Sequence, residues 1–226
     1  MFYFLVYNDN THNVYLNKLI QSVKIHGAEF EVIVFDKSSI ENEFIEKNKA
    51  ILSCRRGGGY WLWKSYIINE MLKRINENDI LFYLDSKYYF IENFSNLYLD
   101  YMKNNDLLVW KNKPNEPTWY MKNWCKMDVI NKYNMFDKVF NENAEDCWGG
   151  AIIIKKNENT VKYMKEWLEM CCNYENITDS PSKAKNNDLF REHRHDQSLL
   201  SIVLHKYNIE MQFFENKYLQ NIRVPF

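Results

Sequence analysis

The sequence predicts an α/β fold in which helices flank a mostly parallel central sheet, and three observations support this prediction. Short apolar runs that suit buried strands alternate with longer stretches of helical spacing. The opening unit, with strand Phe2–Tyr7, helix Val14–Ile25 and strand Glu31–Phe35, is a βαβ arrangement, which requires parallel strands. The 226 residues suit one domain, residues 1–226, because no convincing linker divides them.

The same patterns predict the remaining elements. Apolar runs predict further strands at Ile80–Leu84, Leu107–Trp110, Gly149–Ile154 and Glu210–Phe214. Helical spacing predicts helices at Ile40–Ala50, Ser65–Ile75, Asn93–Lys103, Met127–Tyr133, Asn159–Cys172 and Asp196–Tyr207. Between the last two helices, Thr178–Asn187 is polar and is predicted to be a loop.

Composition excludes several classes of protein. The net charge is -1 and basic residues are mixed with acidic ones, so neither bulk attraction to nucleic acid nor a polybasic membrane arm is predicted. The five cysteines form no CxxC pair, which favours reduced thiols over disulfides or zinc. The first residues resemble a strand rather than a signal peptide, and no apolar run reaches the roughly 20 residues of a membrane span. We therefore expect a cytoplasmic protein.

Aromatic residues make up 16% of the chain, more than a core usually accommodates. Such rings suit a cleft that stacks on sugar faces. A composition bias from an AT-rich genome is an equally good explanation. The aromatic content alone therefore does not decide the function.

Asp85 directly follows the predicted strand Ile80–Leu84. In open α/β sheets, ligands bind at the carboxyl ends of the strands. A carboxylate there can hold Mg²⁺ or Mn²⁺ on a diphosphate, or accept a hydrogen bond from a ribose hydroxyl. The alternative is that Asp85 caps the next segment.

The segment Gly57–Gly59 lies between Arg55, Arg56 and Lys64. Glycines let the backbone approach a ligand closely, and adjacent cations suit a diphosphate. The segment is neither a Walker A loop nor a dinucleotide fingerprint, which disfavours a Rossmann-type oxidoreductase. A plain loop with solvated cations is the alternative.

Two further clusters carry polar groups near predicted element ends. In His193–Ser198, His195 could meet a metal or a phosphate, and Asp196 could act as a general base or only cap a helix. Two histidines separated by one residue are weak evidence for zinc. In Glu145–Gly150, carboxylates, a ring and two glycines form a plausible sugar-binding edge.

Four of these segments, in this order, resemble the GT-A glycosyltransferases. The closest resemblance is to the small glycosyltransferase-like proteins of large DNA viruses and of bacterial capsule or lipopolysaccharide clusters. In those proteins a GYWLWKPYI-like segment precedes a strand that ends in YLDA or YCDAS. The matching segments here are Gly59–Ile67, Tyr83–Ser86, Trp148–Ile154 and Arg194–Ser198. The resemblance covers nearly the whole chain.

The resemblance implies a role for individual residues. The donor-binding half would be about residues 1–110 and the acceptor and catalytic half about 111–226. Donor-binding residues would be Tyr7, Asn8, Arg56, Tyr60, Lys64, Asp85, Ser86 and Lys87. Catalytic residues would be Asp196, Asp146 and Gln197, with Trp148 and Gly149 on the acceptor and Asp85 and His195 on the metal.

The implied function is transfer of a hexose or deoxyhexose from a nucleoside diphosphate sugar, with a UDP-sugar favoured, to a glycan hydroxyl in polysaccharide biosynthesis. The implied cofactor is Mn²⁺ or Mg²⁺. One departure bears on it, because Lys87 stands at the second acidic position of the DxD motif and its ammonium would repel a divalent cation. The alternative is a nucleotide-sugar- or glycan-binding module without turnover.

Overall fold

The computed structural model describes residues 1–9, 13–27, 29–95, 101–111, 116–213 and 218–221. Its strands are β1 (Phe2–Tyr7), β2 (Glu31–Phe35), β3 (Ile80–Leu84), β4 (Tyr88–Phe90), β5 (Leu107–Lys111), β6 (Cys147–Lys155), β7 (Gln212–Phe213) and β8 (Leu219–Asn221). Its helices are α1 (Asn13–His26), α2 (Asn42–Lys47), α3 (Lys49–Leu52), α4 (Leu62–Arg74), α5 (Met127–Lys132), α6 (Glu158–Cys171), α7 (Tyr174–Ile177) and α8 (Asp196–Lys206).

The central sheet has the strand order β2-β1-β3-β6-β5-β7. Strand β1 pairs in parallel with β2 and β3, and β5 pairs in parallel with β7. Strand β6 is antiparallel to both of its neighbours, β3 and β5. Five strands therefore share one direction, which confirms the mostly parallel sheet. The small β4–β8 sheet was not predicted.

The reversed direction of β6 positions the candidate site. Because β6 runs against β3, its first residues lie beside the last residues of β3. The register pairs Leu84 with Ala151, and the Asp85 amide donates a hydrogen bond to the Gly150 carbonyl over 2.8 Å. The segments around Asp85 and Gly149, which are far apart in the sequence, thus meet at one edge of the sheet.

Alternate residues of the strands build a core on each face of the sheet. On one face, Tyr83 and Ile152 pack in a cluster with side chains of α4, α6 and α8. On the other face, Phe82 and Ile153 pack with α1 and the β4–β8 sheet. Each fully buried apolar side chain contributes roughly 1.5–3 kcal/mol, so these two layers supply the main stabilisation.

Most predicted elements are present, with shifted ends. The predicted helix Ile40–Ala50 is two short helices, and α4 begins at Leu62 rather than at Ser65. Of the predicted helix Asn93–Lys103, residues 96–100 lie outside the described residues, as does the last residue of the strand predicted at Glu210–Phe214. All five cysteines are free thiols, as expected. Among the described residues, none of the helices combines the length and apolar character that a bilayer crossing requires.

The triple glycine forms a left-handed turn directly before α4. Residues 57 to 61 all have positive φ, with φ of 57°, 59° and 96° at the three glycines and 54° and 59° at Tyr60 and Trp61. Amide-to-carbonyl bonds from Tyr60 to Arg56 and from Trp61 to Gly57 close the turn. Left-handed geometry costs an L-residue roughly 1–2 kcal/mol, so glycine reduces the strain at three of the five positions.

We expect Gly59→Ala to destabilise the protein more than Gly58→Ala. Both changes place a side chain at positive φ, which costs roughly 1–2 kcal/mol. A Cβ at Gly59 would also lie 2.7 Å from the Leu52 Cα, whereas a Cβ at Gly58 comes no nearer than 3.6 Å to the Trp63 ring. Urea unfolding of the two variants measures the difference. Equal losses would show that the backbone contact at Gly59 does not constrain the turn.

Candidate active site

A cleft opens at the carboxyl ends of β1 and β3, beside the left-handed turn and the start of α4. Its volume is about 390 Å³. Its lining combines aromatic rings with charged side chains and glycine backbone. The lining residues are Tyr7, Asn8, Asp9, Arg55, Gly57, Gly58, Trp61, Trp63, Tyr83, Asp85, Ser86 and Lys87.

Asp85 lines this cleft, directly after the end of β3. The Tyr83 hydroxyl donates a hydrogen bond to Asp85 Oδ1 over 2.7 Å. The Lys64 ammonium lies 3.4 Å from the same oxygen, and the Lys87 ammonium lies 3.7 Å from Oδ2. Both carboxylate oxygens of Asp85 therefore face an ammonium group.

Lys64 is buried, with 5% of its side chain exposed. Its Nζ donates a hydrogen bond to the Gly149 carbonyl over 3.0 Å, and lies 3.2 Å from Asp196 Oδ2 and 3.4 Å from Asp85 Oδ1. Burial lowers the pKa of the Lys64 ammonium, but the carboxylates of Asp196 and Asp85 outweigh it and raise that pKa above the ordinary lysine value. Lys64 thus makes one hydrogen bond and two ion pairs with protein groups, and its side chain is not part of the cleft lining.

Asp196 is the first residue of α8 and shares Lys64 with Asp85. Its carbonyl accepts a hydrogen bond from the Trp167 indole over 2.8 Å, which ties α8 to α6. Burial raises the pKa of the Asp196 carboxyl to about 6, although Lys64 opposes this rise. At neutral pH the carboxyl is therefore largely ionised but close to the range in which a general base works.

Asp146 is fully buried, and both of its oxygens accept hydrogen bonds. Gln197 Nε2 donates to Oδ2 over 2.5 Å, and the Ser201 hydroxyl donates to Oδ1 over 2.8 Å. Gln197 Oε1 in turn accepts from the Gly149 amide over 3.2 Å. Burial raises the pKa of Asp146 to about 6, against these hydrogen bonds. Asp146 thus orients Gln197 and is not placed to contact a substrate.

His195 precedes α8 with a strained backbone, φ 53° and ψ −121°. Its Nδ1 is 2.7 Å from the Ile177 carbonyl, and its Nε2 is 3.8 Å from Asp179. Its ring packs on Tyr60 and Trp61, at centroid distances of 4.8 Å and 5.6 Å. Desolvation by burial lowers the pKa of His195.

Arg56 does not line the cleft. Its guanidinium contacts Asp179 over 3.1 Å and Glu192 over 2.8 Å, and so links the left-handed turn to the loop before α8. Arg55, a second cation beside the glycines in the sequence, lines the cleft instead. Neighbouring residues in a turn point in different directions, and the motif could not distinguish them.

Of the remaining predicted residues, some line the cleft and others lie beside it at the start of β6. Tyr7 and Asn8 line it at the end of β1, and the Tyr7 ring stacks on Trp63 with centroids 3.9 Å apart. Trp148 contacts the Tyr88 ring edge-on, with centroids 5.2 Å apart. Gly149 supplies both its amide and its carbonyl to the contacts described above. The residues predicted on the donor side and on the acceptor side therefore meet at one sheet edge.

The implied metal can be tested against this geometry. Asp85 is held by Tyr83, Lys64 and Lys87, whereas His195 faces Ile177 and Asp179, so the pair predicted as metal ligands is not brought together. Among the described residues, no group of three His, Cys, Asp or Glu side chains is arranged to hold a metal ion. The ammonium groups on both oxygens of Asp85 also oppose a second cation there. The residues present do not fit the implied Mn²⁺ or Mg²⁺.

Sequence reasoning missed Tyr83, Trp63 and Trp61 as cleft residues. A signal for Tyr83 was available, because residues two apart on a strand share a face and Tyr83 precedes Asp85 by two. The two tryptophans belong to the motif that carried the resemblance, but their placement depends on the left-handed turn. That turn is not readable from hydrophobic spacing.

No protein-family model matches the sequence, and no curated protein matches it either. Solved structures do. The bifunctional glycosyltransferase WbbM matches 94% of this chain and 38% of its own, at 13% identity and a TM-score of 0.57. Mouse xyloside xylosyltransferase 1 matches 95% of this chain and 84% of its own, at 9% identity and a TM-score of 0.49. A glycosyltransferase involved in glycosylation of the major capsid of PBCV-1 matches 95% and 82%, at 10% identity and a TM-score of 0.47.

Of these three, WbbM aligns with a TM-score above 0.5, over nearly all of this chain. The chain has the GT-A fold. The match agrees with the mixed sheet and with the cleft at its carboxyl edge. At identities this low the likeness concerns the fold, and the reaction must be argued from the site.

The buried Asp146 carboxyl predicts a specific pH dependence of stability. Its pKa is raised from 3.8 to about 6 on folding, so the folded protein binds this proton more tightly than the unfolded chain. The stabilisation from Asp146 is full below about pH 4 and is lost as the pH rises through 6. In urea unfolding, the stability of Asp146→Asn relative to wild type should therefore rise with pH, by up to about 3 kcal/mol between about pH 4 and pH 7.

Asp106→Asn serves as the control, because this carboxylate is about half exposed and lies at the far end of β5. Its stability relative to wild type should change little over the same range. If the Asp146→Asn difference is also flat with pH, the carboxyl does not have the raised pKa.

Proposed function

We propose that this protein transfers a glycosyl group, a hexose or deoxyhexose, from a nucleoside diphosphate sugar to a glycan hydroxyl. A UDP-sugar is the favoured donor. The observation that carries the proposal is Asp85 in a cleft of about 390 Å³, at the carboxyl edge of a GT-A sheet, surrounded by aromatic rings and cations. WbbM, whose fold this chain shares, is a bifunctional glycosyltransferase, which supports this proposal.

The cleft is suited to a diphosphate. The first turn of α4 contains no acidic side chain, and the positive end of a helix dipole favours an anion. Arg55 lines the cleft, and Lys87 is 53% exposed beside Asp85. These two side chains would neutralise the charge that develops on the diphosphate as it leaves. In this role they take the place proposed for Arg56 and Lys64 from the sequence.

The other end of the cleft is suited to a nucleoside. Tyr7 and Trp63 form a stacked pair at the end of β1, and flat aromatic faces suit contact with a base or a ribose. The backbone amide of Asn8 donates a hydrogen bond to the Phe35 carbonyl, and its side-chain amide donates one to the side chain of Asn13. We assign Tyr7 and Asn8 to the nucleoside and Ser86 and Lys87 to the phosphates.

The transferred sugar would lie near Asp85, Asp196 and Gln197. For an inverting transfer, Asp196 is a better general base than Asp146, because both oxygens of Asp146 already accept hydrogen bonds from protein groups. Asp146 acts instead as a positioning residue that holds Gln197 against Gly149. Trp148, beside Tyr88 at the start of β6, supplies an aromatic face for the acceptor.

We expect Asp85→Ala to reduce donor turnover by at least roughly 100-fold, because it removes the carboxylate around which the donor pocket is built. The assay measures hydrolysis and transfer with a panel of UDP- and GDP-sugars. Asp106→Ala, an exposed strand-end carboxylate at the opposite edge, is the control and should keep full activity.

Circular dichroism and urea unfolding establish that Asp85→Ala is folded. Full turnover in this variant would remove Asp85 from the site. Donor binding by calorimetry without product, across acceptors, would instead favour a binding module without turnover. If no nucleotide sugar binds to the wild-type protein, the proposed function is wrong.

A further inference from the structure

The contacts of Lys64 differ from those expected of a residue that only binds a donor phosphate. Its ammonium lies between two carboxylates that come from different elements, Asp85 after β3 and Asp196 at the start of α8. It also donates to the carbonyl of Gly149 in β6. Bridging two carboxylates and a carbonyl with a positive charge is what a hard divalent cation does in other proteins.

The position of this ammonium is determined by the fold. Lys64 lies in the first turn of α4, directly after the left-handed turn, and only 5% of its side chain is exposed. Its Nζ also lies 5.5 Å from the centre of the Tyr83 ring, whose hydroxyl donates to Asp85. Because each of its neighbours is itself anchored, Lys64 cannot leave without setting the buried carboxylate of Asp196 against the partly buried carboxylate of Asp85.

We propose that Lys64 is a built-in cation that takes the place of a divalent metal between Asp85 and Asp196, so that nucleotide binding in this cleft is independent of metal. This inference rests on the proposed function for the identity of the nucleotide. Both oxygens of Asp85 face an ammonium, from Lys64 on one side and Lys87 on the other, and a divalent ion would have to displace one of them.

In this proposal, each of the two lysines has one of the two roles that a metal ion would have. Lys64 is buried and holds the two carboxylates in place, which makes it a positioning residue. Lys87 is half exposed and can leave Asp85 to contact the diphosphate of a donor. A single divalent ion would hold the carboxylates and the phosphates together.

The first test uses the wild-type protein and UDP as the probe. Calorimetry measures the dissociation constant of UDP in EDTA and in excess Mn²⁺. We expect the two constants to agree within about twofold. Loss of UDP binding in EDTA and its recovery with Mn²⁺ would overturn the inference. If UDP binds under neither condition, the proposed function is in doubt, and the second test still decides the role of Lys64.

The second test removes the ammonium and needs no nucleotide. Lys64→Ala leaves Asp85 and Asp196 facing an empty space, so Mn²⁺ should now bind there and raise the melting temperature, while wild type should show no such rise. If wild type binds UDP, Lys64→Ala should weaken the affinity for UDP by roughly 10- to 100-fold in EDTA, and Mn²⁺ should restore part of that affinity.

Lys126→Ala is a matched control. Lys126 is also a buried lysine, but its ammonium contacts the Thr178 carbonyl and Ser180 and, among the described residues, has no carboxylate partner within ion-pair distance. Its removal should destabilise the protein without creating a metal site. Adding Asp196→Asn to Lys64→Ala should abolish the Mn²⁺ effect. If Mn²⁺ raises the melting temperature of Lys64→Ala no more than that of Lys126→Ala, the inference is wrong.

Discussion

The ammonium of Lys64 is the interaction on which the rest of the site depends. A buried charge is costly unless it is paired, and this one is paired with Asp85, Asp196 and the Gly149 carbonyl. The ends of β3, α8 and β6 must therefore meet around the first turn of α4. A change in any of these elements would leave a buried charge without its partner.

Two features of the backbone make this meeting possible. The left-handed turn of Gly57–Tyr60 changes the direction of the chain so that α4 starts beside the cleft. The reversed strand β6 brings its first residues to the carboxyl edge of β3, where a parallel strand would bring its last. The left-handed turn carries a local backbone cost at Tyr60 and Trp61, and both features contribute to the assembly of the charged centre.

The positions of the site residues could be predicted only where local geometry decides them. Asp85 and Tyr7 lie in the cleft because they stand at or directly after the ends of buried strands, which is a property of a few consecutive residues. The burial of Asp146 and the pairing of Arg56 with Asp179 depend on residues 51 to 123 positions away. No periodicity in the sequence reports such contacts, so these two placements required the tertiary structure.

The sequence by itself determined the α/β class, the order of most strands and helices, and the strand end at which the cleft opens, because hydrophobic spacing reflects the local geometry of strands and helices. The tertiary structure alone decided the direction of β6. It also decided which cations face the cleft and which form ion pairs with other protein groups. Charged side chains find partners across the fold rather than along the chain. Lys64 and Arg56 could therefore be recognised as important from the sequence, but their partners could not.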